Sequence, residues 1–370
     1  MAQRSVLFLT HEPPLPAVSG TRVRSSQLMR QLDQRGWRVR LFSLGPSAAA
    51  PADLEALREL ATDPVVEAFE PHPIARYGRV AALVATGRAF QRAMFWAPEP
   101  ARRLEAILRD ERFDAIISGQ LYMHPYVPRA LHSMEVLDCY NVEMRRMETM
   151  AQALGWRPRG LVARAQRRPV GRYERRAVAE VAQILAVSDI ERRYFETFAP
   201  GRATLVPNGV DCRELLPRLE VPPQPNLLFV GSLDYSANSD GVDHLLADVV
   251  PRVARRDARV TIVGGSPPPA LVEAAARSSL EVEVTGRVPD TAPYFESSRM
   301  LVVPLRLGGG TRLKILEAFA RGVPVVTTSI CCEGIDVVHQ REAIVADDPG
   351  LLARWIDRLL EDESLCKSLA

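Results

Sequence analysis

Lysine is almost absent from this chain, although basic residues are common. Only Lys314 and Lys367 are lysines, against 45 arginines. The formal net charge is +2, so there is no global positive field that would favour nucleic acid, and no nucleic-acid partner is expected. The placement of a lysine is informative here, because an ammonium is a more compact charge than a guanidinium.

Long apolar runs are also missing. No stretch approaches the roughly 20 apolar residues of a membrane-spanning helix, and the opening residues MAQRSVLFLT hold too short an apolar segment for a signal peptide. The five cysteines are odd in number and scattered, and the adjacent pair Cys331–Cys332 does not have a metal-binding spacing. These absences predict a reducing, cytoplasmic setting.

Apolar runs of strand length alternate with helical patterns along the 370 residues, a length that suits about two domains. The alternation begins at Val6 and restarts at Asn226, after the proline-rich connector RELLPRLEVPPQP. We predict an α/β protein with two doubly wound, Rossmann-like domains at residues 1–215 and 216–370. The first helix of the second domain is expected at about residues 241–255.

The segment Arg299–Ser329 has the pattern strand, glycine loop, helix, glycine, strand. Gly308, Gly309 and Gly310 let the backbone bend closely around a ligand, and Thr311 is expected to cap the helix that follows. Because free N–H groups and the positive end of the helix dipole meet at such a loop, the segment favours a phosphate.

Two side chains on that helix make the segment more specific. Lys314 and Glu317 are three residues apart and share a helix face. The lysine can neutralise phosphate oxygens, and the carboxylate can accept hydrogen bonds from two vicinal ribose hydroxyls. The alternative is a solvent-exposed pair on an ordinary helix, which is worth about a few tenths of a kcal/mol.

Further candidates follow strand ends in the first domain, where ligands of open parallel sheets bind. Gly20 precedes the first helix in the loop HEPPLPAVSGT, and His124, Asn141 and Glu143 follow later strands. A lone histidine in a loop is usually structural or solvated, so a structural role for His124 stays open beside a functional one.

The segment from Arg145 to Arg176 contains ten arginines and two acidic residues. A basic helical face of this kind can lie on an anionic lipid surface. The alternative is a solvated face in a chain that is rich in arginine throughout.

Ordered motifs along nearly the whole chain resemble the retaining GT-B glycosyltransferases of glycosyltransferase family 4. They are DCYNVE, ILAVSDIERR, VPNGVD, LLFVGSLDYSANSDGVDHL, EVTGRVPDTAPYF, VVPLRLGGGTRLKILEAFARGVPVVTT and CCEGI. The resemblance implies two Rossmann-like domains that face a central cleft, with a nucleotide-diphosphate sugar bound mostly by the second domain. It also implies a UDP- or GDP-sugar as donor substrate and no cofactor.

The resemblance also implies roles for individual residues. Glu317 would bind the donor ribose, Arg312 and Lys314 would reach the phosphates, and His124 would lie near the donor sugar and the acceptor. Asn208 would lie at the hinge, on the acceptor side. The remaining donor contacts would come from Gly20, Gly231, the base-reading backbone of Val288, and the loop of Gly308, Gly309, Gly310 and Thr311.

Three departures from the family pattern bear on the mechanism. The first of two glutamates that the family often shows is replaced by Gly309, so the contact to the sugar is expected from backbone. The segment GSLDYSANSDGVDHL lacks the usual arginine and lysine, so Arg312 and Lys314 must supply more of the positive charge. The C-terminal helix that crosses back to the first domain is expected to be missing.

The resemblance implies transfer of a sugar to an acceptor hydroxyl in bacterial cell-surface polysaccharide, glycolipid or glycoconjugate synthesis. The acceptor would be a glycan or a lipid-linked molecule at the inner face of the cell membrane. Because the sequence has no DxD motif, we expect no metal, and the leaving diphosphate would depend on amides, the helix dipole and cations. The alternatives are a non-catalytic nucleotide-sugar-binding protein and a GT-B nucleotide-sugar epimerase.

Overall fold

The structure is a computed structural model of the chain. It describes residues 3–17, 19–45, 51–69, 82–83, 86–90, 94–218, 220–308 and 311–370. The chain folds into two compact units, Met1–Pro207 and Asn208–Ala370. The division falls shortly before the predicted boundary. Arg218 packs within the second unit, where its Nε donates to the carbonyl of Gly322 over 3.0 Å.

The first unit is a parallel sheet of seven strands with helices between them. The strands lie in the order β3-β2-β1-β4-β5-β6-β7. In chain order they are β1 (Ser5–Thr10), β2 (Arg38–Gly45), β3 (Thr62–Ala68), β4 (Ala115–Gly119), β5 (Glu135–Cys139), β6 (Gln183–Ala186) and β7 (Ala203–Leu205). The α-helices are α1 (Gly20–Gln34), α2 (Pro51–Arg58), α3 (Pro98–Asp110), α4 (Glu143–Leu154), α5 (Pro158–Glu180) and α6 (Asp189–Glu196).

The second unit is a parallel sheet of six strands in the order β10-β9-β8-β11-β12-β13. Its strands are β8 (Asn226–Val230), β9 (Arg259–Val263), β10 (Glu281–Gly286), β11 (Met300–Val303), β12 (Val325–Thr327) and β13 (Ile344–Val345). Its α-helices are α7 (Ser236–His244), α8 (Pro269–Ala276), α9 (Ala292–Ser297), α10 (Leu313–Ala320), α11 (Pro349–Glu361) and α12 (Glu363–Leu369).

Each sheet is doubly wound, as the alternation of strands and helices predicted. The first strand of each unit is central, and the chain crosses to one side and then to the other. The strand order therefore reverses between β1 and β4 in the first unit, and between β8 and β11 in the second. Ligands of such sheets bind beyond the carboxyl ends of the strands at these switch points.

The core strands are short apolar runs that are buried on both faces, as expected of parallel sheets. In β11 all four residues of Met300–Val303 are buried, and β8 buries Leu227, Leu228 and Phe229. The outline was correct, but α7 begins before the predicted residue 241. Gly241 lies inside the helix, where an added Cβ would come within 2.2 Å of Leu305.

The sequence pattern also predicts a helical region over about 78–109. Within it the structure has α3, whereas residues 70–81 lie outside the described part of the chain. Across the described ranges, no helix combines the length and the hydropathy that a bilayer span requires.

Candidate active site

The loop between β11 and α10 opens at the switch point of the second sheet. Gly308 has a φ of +107°, a left-handed value that a residue with a Cβ rarely adopts. Arg312, not Thr311, holds the N-cap position of α10, and no side chain caps this helix. The expected capping by Thr311 is therefore wrong, because the helix starts one residue further along the chain. Gly309 and Gly310 lie outside the described residues.

Thr311 is nevertheless placed where a ligand could use it. Its Oγ1 is buried and has no hydrogen-bond partner among the residues that the structure describes. A buried hydroxyl without a partner costs free energy, so a hydrogen-bonding ligand at the glycine loop would relieve that cost. The predicted donor contact of Thr311 stays a prediction.

Lys314 reaches from the first turn of α10 to the end of β8. Its Nζ donates to Asn238 Oδ1 over 2.9 Å and lies 4.4 Å from the centre of the Phe229 ring. A Cβ added at Gly231 would stand 2.5 Å from this Nζ and 2.7 Å from Asn238 Nδ2. The absence of a side chain at Gly231 therefore makes room for the lysine ammonium. Residues of α7, α10 and the loop after β8 surround this one cation.

The surroundings of Lys314 disfavour its charge. Burial, together with the nearby positive charge of Arg312, lowers the pKa of the Lys314 ammonium to about 7. An anion at this position would favour the protonated form again. Lys314 is thus poised to gain a proton when an anionic group such as a diphosphate binds.

Arg312 lies against the glycine loop. Its side chain is buried, and its Nη2 donates to the Leu307 carbonyl over 3.3 Å. An added Cβ at Gly308 would come within 2.6 Å of Nη2, so the loop glycine permits this approach. The structure therefore brings Gly231, Gly308, Arg312 and Lys314 together at one end of the second sheet.

Glu317 lies one turn further along α10 and is held in position by two neighbours. Its Oε1 accepts from Thr291 Oγ1 over 3.0 Å and from Arg321 Nε over 3.1 Å. Among the described residues, none donates a hydrogen bond to Glu317 Oε2. Thr291 and Arg321 thus fix the carboxylate while one oxygen is left to accept from a ligand.

Val288 follows β10, an outer strand of the second sheet. It is half-buried and packs on the core. Its position after the carboxyl end of a strand suits the predicted backbone contact to a base, which stays a prediction.

In the first unit, Gly20 is the first residue of α1, just after the N-cap residue Ser19. The Ser19 hydroxyl accepts from the Arg22 backbone N–H and donates to Glu12 Oε1. Glu12 also pairs with the Arg22 guanidinium at 2.8 Å. An internal carboxylate therefore already lies beside this helix N-terminus, and the predicted contact of Gly20 with a diphosphate is untested.

The sequence reasoning missed His11, which directly follows β1 at the switch point of the first sheet. Its ring makes edge contacts with Phe95 at 5.3 Å and Tyr122 at 5.2 Å between centroids. Burial lowers the pKa of His11, which favours the neutral imidazole. The signal was available, because a histidine directly after a buried strand satisfies the same rule that selected His124.

Glu143, selected because it follows a strand, belongs to a buried polar network near His11. Its Oε1 accepts from the Tyr122 hydroxyl over 3.1 Å, and its Oε2 accepts from Arg146 Nε over 3.1 Å. Glu174 accepts from the backbone N–H of Glu143. Burial, together with the charge of Glu143, raises the pKa of Glu174 to about 8, which favours the protonated carboxyl group at neutral pH.

His124 has a different setting from the other candidates. It is buried, and its Nδ1 lies 3.0 Å from Glu135 Oε2, in the first residue of β5. These contacts place its ring near the amino end of a strand, whereas ligands of this fold bind at the carboxyl ends. The catalytic role of His124 stays a prediction, and its contacts favour the structural alternative. Asn141 lines a small cavity with Glu143 and Glu174, and Asn208 begins the second unit.

Comparisons with known proteins agree with this arrangement. The model of a family described as "Glycosyltransferase Family 4" matches residues 18–214, and one described as "Glycosyl transferases group 1" matches residues 224–362. The first match covers more than half of the chain, and the chain belongs to glycosyltransferase family 4.

Two curated relatives match a shorter part of the sequence. A 44.6 kDa protein from the cps region of Klebsiella pneumoniae is 27% identical over 153 residues, 39% of either chain. A phosphatidyl-myo-inositol mannosyltransferase of Mycobacterium tuberculosis is 28% identical over 154 residues, 40% of either chain. The matches thus span only about two fifths of the length of these relatives.

Solved structures match over almost the full length. Sucrose-phosphate synthase from Thermosynechococcus elongatus has a TM-score of 0.73 at 17% identity, covering 99% of this chain and 92% of its own. WaaG, a glycosyltransferase involved in lipopolysaccharide biosynthesis, has a TM-score of 0.70 at 18% identity, covering 98% and 92%. These are GT-B structures, so the predicted fold class is confirmed.

Replacing Glu317 by alanine is expected to weaken nucleotide binding at least about tenfold. A carboxylate that accepts from ribose hydroxyls makes charge-assisted hydrogen bonds worth about 1.5–3 kcal/mol. Calorimetric titration with the nucleotide diphosphate that a thermal-shift screen of UDP, GDP and ADP selects measures the change. Glu296→Ala, an exposed glutamate of α9, is the matched control, and equal affinity in the two folded variants would contradict the assignment.

The lowered pKa of Lys314 predicts proton uptake when a nucleotide diphosphate binds at about pH 8. At that pH the phosphate, with a second pKa of about 6, is already fully ionised, whereas a lysine with a pKa of about 7 is mostly neutral. Binding should therefore raise the lysine pKa and consume a proton. Affinity should accordingly fall as the pH rises above 7.

Calorimetry in buffers of different ionisation enthalpy measures this uptake directly. Lys314→Met should abolish the uptake and weaken binding. Lys367→Met should change neither, because that exposed lysine pairs with Glu363 at the end of the chain. Absence of proton uptake in the unmodified protein would show that Lys314 does not contact the diphosphate.

Proposed function

We propose that this protein transfers a sugar from a UDP- or GDP-sugar to an acceptor hydroxyl, with retention of the anomeric configuration. The observation that carries the proposal is the meeting of Lys314, Asn238 and Gly231 at the switch point of the second sheet. A buried cation at the carboxyl ends of parallel strands suits an anionic ligand. Membership of glycosyltransferase family 4 makes a nucleotide-sugar diphosphate the appropriate anion.

Different residues of the second unit would bind different parts of the sugar donor. Lys314 and Arg312 would stabilise the charge that develops on the leaving diphosphate. Glu317 would hold the ribose through Oε2, with Thr291 and Arg321 fixing its orientation. Thr291 and Glu317 would thereby set the distance between the nucleoside and the phosphate-binding loop.

Acceptor activation would need no strong base in this proposal. In a front-side reaction the bond to the diphosphate breaks as the acceptor oxygen attacks the same face. The acceptor proton passes to the leaving phosphate oxygen, so charge and atoms balance without a covalent enzyme intermediate. Lys314 would stabilise that oxygen until it takes the proton.

Similar proteins support a nucleotide-sugar donor and a cell-surface product. A solved structure of HepE from Anabaena is a complex with UDP and glucose. It matches this chain with a TM-score of 0.65 at 15% identity. The curated relatives come from a cps region and from phosphatidyl-myo-inositol mannosylation. We therefore propose a glycan or lipid-linked acceptor, made at the inner face of the cell membrane.

Turnover is the direct test of this function. The protein should hydrolyse its preferred nucleotide sugar slowly when no acceptor is present, and NMR of the first-released sugar should show the anomer of the donor. The rate should persist in EDTA, because Lys314 and Arg312 take the place of a metal. Loss in EDTA with rescue by Mg²⁺ or Mn²⁺ would contradict the assignment of these cations.

The two alternatives give different outcomes in the same assay. Binding without any turnover would identify a non-catalytic nucleotide-sugar-binding protein. Conversion to an epimeric nucleotide sugar, with the nucleotide still attached, would identify an epimerase. Lys314→Met, which removes the proposed diphosphate cation, is the control for contaminating hydrolase activity.

The basic segment of the first unit offers a surface for a membrane-bound acceptor. Trp156, between α4 and α5, is 81% exposed, and the Arg164 guanidinium lies 5.4 Å from its ring centre. Leu161 and Val162 are also exposed. An exposed tryptophan among aliphatic and basic side chains is typical of a helix that lies in a membrane interface.

The arginines of this segment do not contribute equally. Arg167 pairs with Glu148 at 2.6 Å, and Arg175 lies over the Phe198 ring. Arg157, Arg164 and Arg168 are exposed at spacings of seven and four residues along one side of the helix. We define these three, with Trp156 and Leu161, as the Trp156 patch.

The Trp156 patch predicts binding to anionic vesicles and not to neutral ones. Each basic residue near an anionic surface adds about 1 kcal/mol of attraction, so changing Arg157, Arg164 and Arg168 to glutamine should abolish most co-sedimentation. High salt should do the same, because it screens exposed charges. Trp156→Ala should weaken binding without changing its salt dependence.

A matched control has the same charge change elsewhere on the first unit. Arg102, Arg103 and Arg109 are exposed on α3, and their change to glutamine should leave vesicle binding intact. Equal loss in both triple variants would indicate attraction by overall charge and not by the patch. Equal pelleting with neutral and anionic vesicles would remove the membrane proposal.

A further inference from the structure

A second group of polar side chains in the first unit has no place in the proposed reaction. His124, His132 and Glu180 approach one another so that one ligand atom from each lies within 4.8 Å of the others. His124 and His132 belong to short 3-10 turns between β4 and β5, and Glu180 ends α5. The group joins the end of α5 to two neighbouring turns of the segment between β4 and β5.

His124 is oriented by a buried carboxylate. Its Nδ1 lies 3.0 Å from Glu135 Oε2, and Glu135 is fully buried. Because a carboxylate accepts, Nδ1 carries the proton, and in the neutral ring the lone pair is on Nε2. Nε2 points towards Glu180 Oε2, 4.0 Å away.

His132 is oriented by a backbone carbonyl. Its Nε2 lies 3.2 Å from the Val127 oxygen, which can only accept, so Nε2 donates and the lone pair is on Nδ1. This Nδ1 is buried and has no hydrogen-bond partner in the described part of the chain. It lies 3.6 Å from Glu180 Oε2, beyond hydrogen-bonding distance.

Glu180 completes the group with one carboxylate oxygen. Its Oε1 accepts from Arg176 Nε at 3.0 Å and lies 3.8 Å from Arg129 Nη2. Both arginines are largely exposed, so solvent screens their charge. Oε2 therefore turns inward, and two imidazole lone pairs and a carboxylate oxygen face one another.

A positive charge among these three electron-rich atoms would stabilise the arrangement. One proton could satisfy only one pair of atoms, whereas a metal ion satisfies all three. In tetrahedral zinc sites the ligand atoms lie about 2.0–2.2 Å from the metal, which separates them by roughly 3.3 Å. The separations of 3.6 and 4.0 Å to Glu180 Oε2, and of at most 4.8 Å between the two imidazole nitrogens, would contract to this value around the ion.

We propose that His124 Nε2, His132 Nδ1 and Glu180 Oε2 form a binding site for Zn²⁺, with a water as the fourth ligand. In both histidines the N–H of the second ring nitrogen donates a hydrogen bond to an acceptor. This arrangement fixes the orientation of metal-binding imidazoles in zinc proteins. Two imidazoles and one carboxylate are a ligand set that zinc accepts. The ion would stabilise the first unit by tying α5 to the segment between β4 and β5.

Titration of the metal-free full-length protein with Zn²⁺, and with Co²⁺ as a spectroscopic probe, tests this site. One Zn²⁺ per chain should bind, Tm should rise, and Co²⁺ should give the visible absorption of a four-coordinate site of nitrogen and oxygen ligands. Glu180→Gln and His132→Gln should each weaken binding by more than 100-fold. Glu135→Gln, which disturbs only the orientation of His124, should weaken it about 10–100-fold.

His244→Gln is the matched control, because His244 is equally buried and its Nδ1 bonds to the single carboxylate of Asp248 at 2.7 Å. It should leave Zn²⁺ affinity and the Co²⁺ spectrum unchanged. Glu180 is partly exposed, so Glu180→Gln keeps the test valid if His132→Gln fails to fold. Zn²⁺ binding that survives Glu180→Gln, or no binding by the unmodified protein, would overturn the proposal and leave an ion pair of protonated histidine.

Discussion

The site in the second unit depends on one buried ammonium group. Lys314 Nζ contacts an amide oxygen and the face of an aromatic ring, and no carboxylate pairs with it in the part of the chain that the structure describes. A desolvated cation without a counter-ion is costly, and the pKa of about 7 expresses that cost. The neighbouring residues follow from this constraint: Gly231 leaves space for the group, and Asn238, held by its bond to the Ser232 carbonyl, supplies its acceptor.

This geometry explains why one of the two lysines of the chain stands at position 314. The segment GSLDYSANSDGVDHL after β8 contains no arginine or lysine, and Lys314 reaches the end of β8 from α10. An arginine would not fit as well, because a guanidinium is larger and planar, while a Cβ at Gly231 would already stand 2.5 Å from Nζ. Arg312, beside Gly308, adds a second charge at the glycine loop. The positive charge at the end of β8 therefore comes from α10 and the residue before it.

Three histidines of the described part of the first unit, His11, His124 and His132, lie at different ends of the sheet strands. His11 follows the carboxyl end of β1 and packs on Tyr122 and Phe95, at the switch point where this fold binds ligands. His124 and His132 make their contacts with residues at the start of β5 and the end of α5. His11 thus lies at the strand ends where this fold binds ligands, whereas His124 and His132 make contacts that link the segment between β4 and β5 to α5.

The class of fold and most of its elements follow from patterns in the sequence. The apolar run Arg259–Val263 predicts a strand with the bounds that the structure shows, because a short apolar run between turns has one stable place in a parallel sheet. Helical spacing put Lys314 and Glu317 on one face. The partners of individual side chains follow from the tertiary structure alone. Lys314 bonds to Asn238, 76 residues away, and Glu317 bonds to Thr291. His124 contacts Glu135 and Glu180. A local sequence pattern shows the periodicity of one helix or strand. The long-range contacts depend on the order of the strands and the direction of each crossover, because these bring together residues that are far apart in the sequence.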